Sequence, residues 1–215
     1  MLGLRKEITA ELIGTFALTF VGAGAIMTGQ NLLTVAAAHG LILAVMVSAV
    51  MNISGAHFNP AVSIGFLATG RMDGKTAGAY IGAQLAGAIL AGGILASMGG
   101  AGAGTPAPGA DVDMATVVLV EIVLTFLLMT VIMGTAVDDR KPAGIAGFAI
   151  GMVVMADILM GGPITGAAMN PARWMGTWVF TDMSDMMHVA MYWLGPVIGA
   201  VLATLVWDKV LTDAE

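Results

Sequence analysis

Two copies of one triplet, Asn59-Pro60-Ala61 and Asn170-Pro171-Ala172, lie 111 positions apart in a chain of 215 residues. Asn is favoured at the N-cap of a helix and Pro is tolerated in the first turn, so each triplet predicts a helix start. Both triplets lie in long apolar stretches, where the free N–H groups of a helix start would be costly in contact with lipid. We therefore expect both helices to begin beside a water-filled lumen.

The composition is that of an integral membrane protein. Apolar residues make up 58% of the chain and charged residues 10%, against about 25% charged residues in a typical soluble domain. The mean hydropathy is +0.93. Residues 12–70 and 76–110 contain no Asp, Glu, Lys or Arg, and each stretch is longer than the roughly 20 residues that one spanning helix needs. Several spans must therefore follow one another in each stretch.

The apolar segments divide into six full spans and two short pieces. The spans are predicted at residues 8–28, 33–52, 76–98, 114–136, 143–160 and 187–208. The short pieces are residues 59–69 and 170–180, and each is long enough for only about half a crossing at 1.5 Å per residue. We expect them to meet end to end. The predicted fold class is an all-α membrane protein with six transmembrane helices and two re-entrant half-helices.

An internal repeat links the two halves of the chain. Glu11 and Thr15 recur as Glu121 and Thr125, and the Gly55-Ala56 pair recurs as Gly166-Ala167. Three spans separate corresponding points, so the second half must enter the membrane from the opposite side, an inverted repeat that places a site at the midplane. We expect one domain over residues 1–215, with halves of about 1–100 and 113–215 joined by an external loop rich in Gly, Ala and Pro.

The basic residues predict the orientation. Seven of the eight fall on one side of the membrane if both termini are cytoplasmic: Arg5, Lys6, Arg71, Lys75, Arg140, Lys141 and Lys209. The positive-inside rule favours that topology. We expect a protein of the cell membrane whose chain crosses the membrane several times.

The chain lacks the residue patterns of an enzyme. It has no cysteine, which excludes disulfides, thiol catalysis and thiolate metal sites. Ser, His and acidic residues are too scattered for a catalytic triad, and no phosphate-binding or metal-ligand spacing is present. We expect no cofactor, no metal ion and no nucleic-acid partner.

Three segments together resemble the aquaporins, or major intrinsic proteins: residues 11–16, residues 52–62 and residues 165–173. The resemblance covers essentially the whole chain. It implies a homotetramer of six-helix protomers in lipid, in which each protomer has its own pore for water and small neutral solutes. The pore would lie where the half-helices that begin at Asn59-Pro60-Ala61 and Asn170-Pro171-Ala172 meet.

The resemblance also assigns roles to side chains. It places four residues in the selectivity filter, the narrowest part of the pore: His39, Ile158, Ala167 and Arg173. This set matches neither strict water channels nor glycerol facilitators, and is similar to the filter of several plant vacuolar aquaporins, some of which also pass ammonia, urea or hydrogen peroxide. His57 would line the inner vestibule, and Glu11 and Glu121 would accept hydrogen bonds from the re-entrant loops. Water is the solute expected, with ammonia as a second.

Helix electrostatics explains why such a pore would exclude protons. Each helix N-terminus carries roughly half a positive charge, so two of them that face each other at the midplane repel cations. The amides of Asn59 and Asn170 can cap their helices and also donate hydrogen bonds toward the lumen. A passing water would turn its oxygen toward them, which interrupts a proton wire.

Trp174 and Asp157 each allow two interpretations. Trp174, beside the filter arginine, either packs against a helix or crowds the outer mouth. Asp157 lies in an apolar span where a free carboxylate is costly, and we expect a structural hydrogen bond to the re-entrant loop rather than a charge that tunes Arg173 or His39.

Alternative functions are a glycerol or small-solute facilitator, a secondary transporter, which inverted repeats also build, and a structural junction protein without flux.

Overall fold

The structure, a computed structural model, describes residues 2–212, and all regular structure in this range is helical. The helices are α1 (Leu2–Met27), α2 (Leu32–Ser54), α3 (Pro60–Ala68), α4 (Gly74–Gly99), α5 (Met114–Ile132), α6 (Ala146–Thr165), α7 (Pro171–Trp178) and α8 (Met186–Val206). Single π-helical turns extend α5 over Met133–Val137 and α8 over Trp207–Leu211. Six helices are long and apolar enough to cross a membrane, and α3 and α7 are the two short ones, so the predicted fold class is confirmed.

The half-helices begin where their caps predict. The Asn59 side-chain oxygen accepts a hydrogen bond from Ala61 N at 2.9 Å, and the Asn170 oxygen accepts from Ala172 N at 3.0 Å. With 9 residues in α3 and 8 in α7, the two helices are each about 12–14 Å long. Placed end to end they cover most of the roughly 30 Å hydrocarbon thickness.

The end of the fifth predicted span, residues 143–160, was wrong, because α6 covers Ala146–Thr165. The helix continues through Pro163 and ends only at Gly166, which adopts a left-handed conformation (φ 79°) and donates its N–H to the Gly162 carbonyl. A left-handed glycine is a common helix terminator. The five extra residues carry the chain directly into the second re-entrant loop.

The two halves of the repeat exchange their half-helices. Helix α1 packs on α4, and in the same way α5 packs on α8, while α2 lies against α6. The half-helix of each half packs on the last long helix of the other half, α3 on α8 and α7 on α4. A Cβ atom on Gly92 of α4 would collide with the Gly176 carbonyl oxygen of α7. Small residues therefore allow the backbone contact that seats the half-helices, as is usual in membranes.

Charged side chains tie several chain segments together at one end of the bundle. Arg71, which follows α3, makes two hydrogen bonds of 2.5 and 2.6 Å to Asp208 near the end of the described chain. Arg140 bonds Asp138 at 2.7 Å and also donates to the Leu211 carbonyl. Hydrogen bonds from Arg140 hold the pKa of Asp138 well below its ordinary value. The basic residues after α3 and α5 therefore share one end of the molecule with the end of α8.

Candidate pore between the half-helices

The N-termini of α3 and α7 meet through a reciprocal pair of hydrogen bonds. The Asn59 amide nitrogen donates to the Met169 carbonyl at 2.8 Å, and the Asn170 amide nitrogen donates to the Phe58 carbonyl at 2.8 Å. A side-chain amide group has two N–H donors. The opposite loop takes one from each asparagine, and both residues line a cavity, so the second N–H is available to a molecule there.

The backbone leading to each asparagine adopts an uncommon conformation. Four residues other than glycine have positive φ angles in the two loops: Ala56 (53°), Phe58 (49°), Ala167 (47°) and Met169 (52°). Each such conformation costs of the order of 1–3 kcal/mol and persists only where the surroundings enforce it. In both loops the two residues with positive φ are separated by one other residue, so the two halves of the chain share the same loop conformation.

Two buried carboxylates hold these loops. Glu121 accepts hydrogen bonds from Ala168 N at 2.9 Å and Met169 N at 2.7 Å, and from the Thr165 hydroxyl at 2.7 Å. Its side chain is fully buried. A carboxylate can accept several bonds at once, so one side chain satisfies donors that would otherwise be unpaired inside the membrane.

Glu11 has the same arrangement in the first half. It accepts from His57 N at 2.9 Å and Phe58 N at 2.7 Å, and from the Ser54 hydroxyl at 2.7 Å. A fourth bond, 2.8 Å from the Gln84 amide, was missed by sequence reasoning because no short motif contains it.

Two tyrosines support the same loops and were also missed. The Tyr80 hydroxyl donates to the Ser54 carbonyl at 2.9 Å, and the Tyr192 hydroxyl donates to the Thr165 carbonyl. These are the two tyrosines of the chain, and they lie 112 positions apart. That spacing, close to the offset of the asparagines, was a signal that could have found them.

The cavity between the half-helices and the long helices is narrow. Its volume is about 40 Å³, which at roughly 10–15 Å³ for each water is space for about three water molecules. Asn59, Asn170 and Arg173 provide polar groups, and Leu43, Leu128 and Val154 are among the apolar lining residues. A molecule in the cavity can therefore form hydrogen bonds with only part of its wall.

His39 and Arg173 meet at this cavity, although 134 positions separate them. The His39 Nδ1 atom lies 2.9 Å from the Val35 carbonyl, which can only accept, so Nδ1 carries the proton. Nε2 is then an acceptor for the Arg173 guanidinium, at 3.2 Å from Nη2 and 3.4 Å from Nε. Both side chains are buried, and Ile158 and Ala167 line the same cavity. The structure thus brings the four residues of the expected filter together.

Two glycines that sequence reasoning missed support this group, one through the space it leaves and one through its carbonyl. A Cβ atom on Gly22 would collide with the His39 ring. Gly104, in the loop between the halves, has φ 78°, and its carbonyl accepts a hydrogen bond from Arg173 Nη1 at 2.8 Å. The loop therefore does more than connect the halves, because its backbone also holds the guanidinium.

His57 lines the narrow cavity and also a wider one of about 360 Å³ beside it. Its Nδ1 atom lies 3.0 Å from the Ser63 hydroxyl, which also receives a hydrogen bond from Gln84 at 3.0 Å. His57 is thereby linked to the group that holds the first loop. His57 therefore lies between a narrow space and a wider one.

The hydrogen bond expected from Asp157 to the re-entrant loop is absent, so that prediction was wrong. The side chain is 4% exposed, and within residues 2–212 its Oδ2 atom has no hydrogen-bond partner. The donors of the loop are already used, because Ala167 N bonds the Thr165 hydroxyl and the next two N–H groups bond Glu121.

Of the two alternatives for Trp174, the structure shows packing, because the ring is fully buried among other aromatic rings.

The described residues include no cluster of three or more His, Cys, Asp or Glu side chains that could hold a metal ion. The site instead consists of two facing helix N-termini, two amide donors and one guanidinium around a narrow cavity. Such a site can hydrogen-bond a small neutral molecule, and its positive potential disfavours a cation.

Comparisons with known proteins agree with this geometry. A family profile described as "Major intrinsic protein" matches residues 2–207. Aquaporin TIP4-4 of Zea mays is 43% identical over 220 residues, which cover 96% of this chain and 86% of the relative. Aquaporin AqpM of Methanothermobacter thermautotrophicus is 39% identical over 246 residues, which cover 99% and 100%. The X-ray structure of the aquaglyceroporin from Plasmodium falciparum superposes with a TM-score of 0.84 over 97% of both chains at 23% identity, and so has the same fold.

Proposed function

Because the chain belongs to the major intrinsic protein family, whose members are membrane channels and not enzymes, we propose that it conducts water and excludes protons and ions. The observation that carries the proposal is the reciprocal pair of bonds from Asn59 and Asn170, which leaves one amide donor of each beside the narrow cavity. Water would pass there in single file.

The filter residues favour water over glycerol. His39 and Arg173 are hydrogen-bonded to each other, and each is fixed by a backbone carbonyl. Ile158 and Ala167 supply the apolar part of the wall, and neither has the flat ring that would pack against the carbon chain of glycerol. The space for about three waters also favours a small solute. Ammonia, which is as small as water and accepts a hydrogen bond, is the second solute that we propose.

Proton exclusion follows from the orientation that the site imposes. A water at the midplane meets amide N–H donors from both asparagines and the positive ends of α3 and α7. Its oxygen accepts these bonds, so its own hydrogens point outward along the pore. Neighbouring waters then cannot pass a proton through the centre.

For the assembly, we propose a homotetramer of single-domain protomers in the cell membrane, with both termini cytoplasmic. Large apolar side chains are exposed on the outer faces of the long helices, among them Leu41 (58%), Leu119 (60%) and Phe148 (62%). Lipid or a neighbouring protomer would cover them. Native mass spectrometry in detergent tests the stoichiometry, and protease access to a C-terminal tag in sealed vesicles tests the orientation.

Stopped-flow light scattering on proteoliposomes tests the proposed function. After an osmotic step, vesicles with the protein should shrink faster than empty vesicles, while a pH-sensitive dye inside them should report no added proton leak. Val154→Trp, which puts a large ring into the cavity, is the matched control and should abolish the added flux while the protein remains folded. Equal shrinkage rates for wild-type and empty vesicles would refute water conduction.

A further inference from the structure

Trp174 immediately follows the filter arginine on the first turn of α7, and its ring is fully buried. The ring stacks between two others, with centroids 5.0 Å from Trp178 and 5.1 Å from Tyr192 and interplanar angles of 23° and 18°. Such offset aromatic pairs add to the packing energy beyond the buried area. Tyr192 is in turn fixed through its hydroxyl to the Thr165 carbonyl. Trp174 is therefore held rigidly.

The polar edge of the same ring contacts the loop between α4 and α5, here called the outer loop. Trp174 Nε1 donates to the Pro106 carbonyl at 3.1 Å, and Arg173 Nη1 donates to the Gly104 carbonyl at 2.8 Å. Two consecutive side chains of α7 thus bind carbonyls that are two residues apart in one loop. The Trp174 bond thus fixes the loop two residues from the carbonyl that accepts from the arginine.

The Gly104 carbonyl makes the shortest hydrogen bond that orients the Arg173 guanidinium. The bond to Gly104 is 2.8 Å, whereas the two contacts with His39 are 3.2 and 3.4 Å. An arginine side chain has many rotamers, so its position in a filter depends on such fixed acceptors. The loop itself is packed tightly, because a Cβ on Gly166 would lie 2.7 Å from Pro106 Cα.

The first half of the repeat has a different arrangement at the matching position. Ser63 lies 111 positions before Trp174. Its hydroxyl accepts a hydrogen bond from the Gln84 amide and lies 3.0 Å from His57 Nδ1. The contact from α7 to the outer loop is thus a feature of the second half, where the filter arginine lies.

We propose that Trp174 is a positioning residue of the filter: its indole N–H fixes the loop carbonyls at Pro106 and Gly104, and these hold Arg173 beside His39 and so set the largest solute that passes. The inference rests on the proposed water conduction. It assigns selectivity to a side chain that contacts neither the solute nor the lumen.

The test compares Trp174→Phe with Trp178→Phe in proteoliposomes. Each variant keeps a ring in the stack, but only the first removes the donor to Pro106. Water and urea permeabilities are measured on the same vesicles, because their ratio does not depend on the number of folded channels. We expect Trp174→Phe to raise the urea-to-water ratio by about two- to tenfold, the effect of one lost hydrogen bond, and Trp178→Phe to leave it within about twofold.

A second variant removes any doubt about folding. Benzothienylalanine at position 174 keeps the bicyclic shape and replaces the N–H by sulfur, and it should raise the ratio as Trp174→Phe does. An unchanged ratio in either Trp174 variant, or an equal rise in Trp178→Phe, would overturn the inference. Failure of the proposed function has a separate signature, since wild-type vesicles would then shrink no faster than empty ones.

Discussion

The carboxylate that holds the second re-entrant loop allows a direct test of what stabilises the pore. In Glu121→Gln, one of the two terminal oxygens becomes an NH₂ donor. The oxygens of Glu121 accept three bonds, from Thr165, Ala168 and Met169, at 2.7 to 2.9 Å. Whichever way the amide faces, at least one buried donor is then opposed by another donor.

The magnitude follows from these three bonds. A buried donor left unpaired costs about 1–3 kcal/mol, and each of the two remaining bonds weakens by about 1 kcal/mol when its acceptor is neutral. We therefore expect Glu121→Gln to lower the free energy of unfolding by about 3–5 kcal/mol. Water flux per folded protein should also fall, because the Ala168-Met169 segment positions Asn170.

Asp157→Asn is the matched control. Its carboxyl is also buried in the second half, but its Oδ2 atom has no hydrogen-bond partner in residues 2–212. The change removes a buried acid and breaks no bond, so stability and water flux should remain near wild type. SDS titration in mixed micelles, followed by tryptophan fluorescence, measures the stability of both. The reasoning is refuted if the two variants unfold at the same SDS fraction, or if Asp157→Asn loses most of its water flux.

Three further variants test other parts of the structure. Arg173→Val should raise glycerol and proton flux several-fold if Arg173 forms the proposed filter, because the change removes a guanidinium that lines the narrow cavity. Glycerol swelling and dye-loaded vesicles measure the two fluxes, and unchanged glycerol entry would exclude Arg173 as the constriction. Gly104→Ala should lower the free energy of unfolding by more than the roughly 1–2 kcal/mol of a left-handed alanine, because its Cβ would lie 2.6 Å from the Ala23 carbonyl oxygen. Gly29→Ala is the control, since Gly29 has a similar φ and open space around it. Equal losses of stability in SDS titration would contradict this. Hydrogen bonds from the Thr76 hydroxyl and N–H hold the pKa of Asp73 below its ordinary value. Its contribution to stability is therefore present above the ordinary pKa and is lost as the pH falls through the lowered pKa. Asp73→Ala should flatten the acid dependence of unfolding below the ordinary pKa of an aspartate, and an unaltered curve would show that the cap does not contribute.

Local chemistry explains why much of the fold could be predicted. The hydropathy of 20-residue windows predicts the spans, and an Asn-Pro pair predicts a helix start within a residue. The repeat of Glu11 as Glu121 then predicted the inverted halves. Two element ends were predicted poorly: α1 begins at Leu2 and not at residue 8, and α6 continues past Pro163 to Thr165. A proline usually breaks a helix, and only the surrounding protein shows that α6 continues past it.

The contacts that make a site could not be read in the same way. His39 meets Arg173 across 134 positions, and this pairing was expected only from resemblance to a family. Gly22, Gly104 and Gln84 carry no local signal, since each matters for what another helix or loop brings to it. The prediction for Asp157 failed because the N–H groups of the loop, which Asp157 would need as donors, already bond Thr165 and Glu121.

The amino-acid sequence alone thus determined the membrane class, the six spans, the two half-helices and the repeat. All of these depend on interactions within a few residues, or on the transfer of short segments from water to lipid. The tertiary structure decided which donor meets which acceptor, how narrow the cavity is and where the loop between the halves lies. Those features depend on packing between segments far apart in the chain, where a shift of one ångström makes or breaks a hydrogen bond.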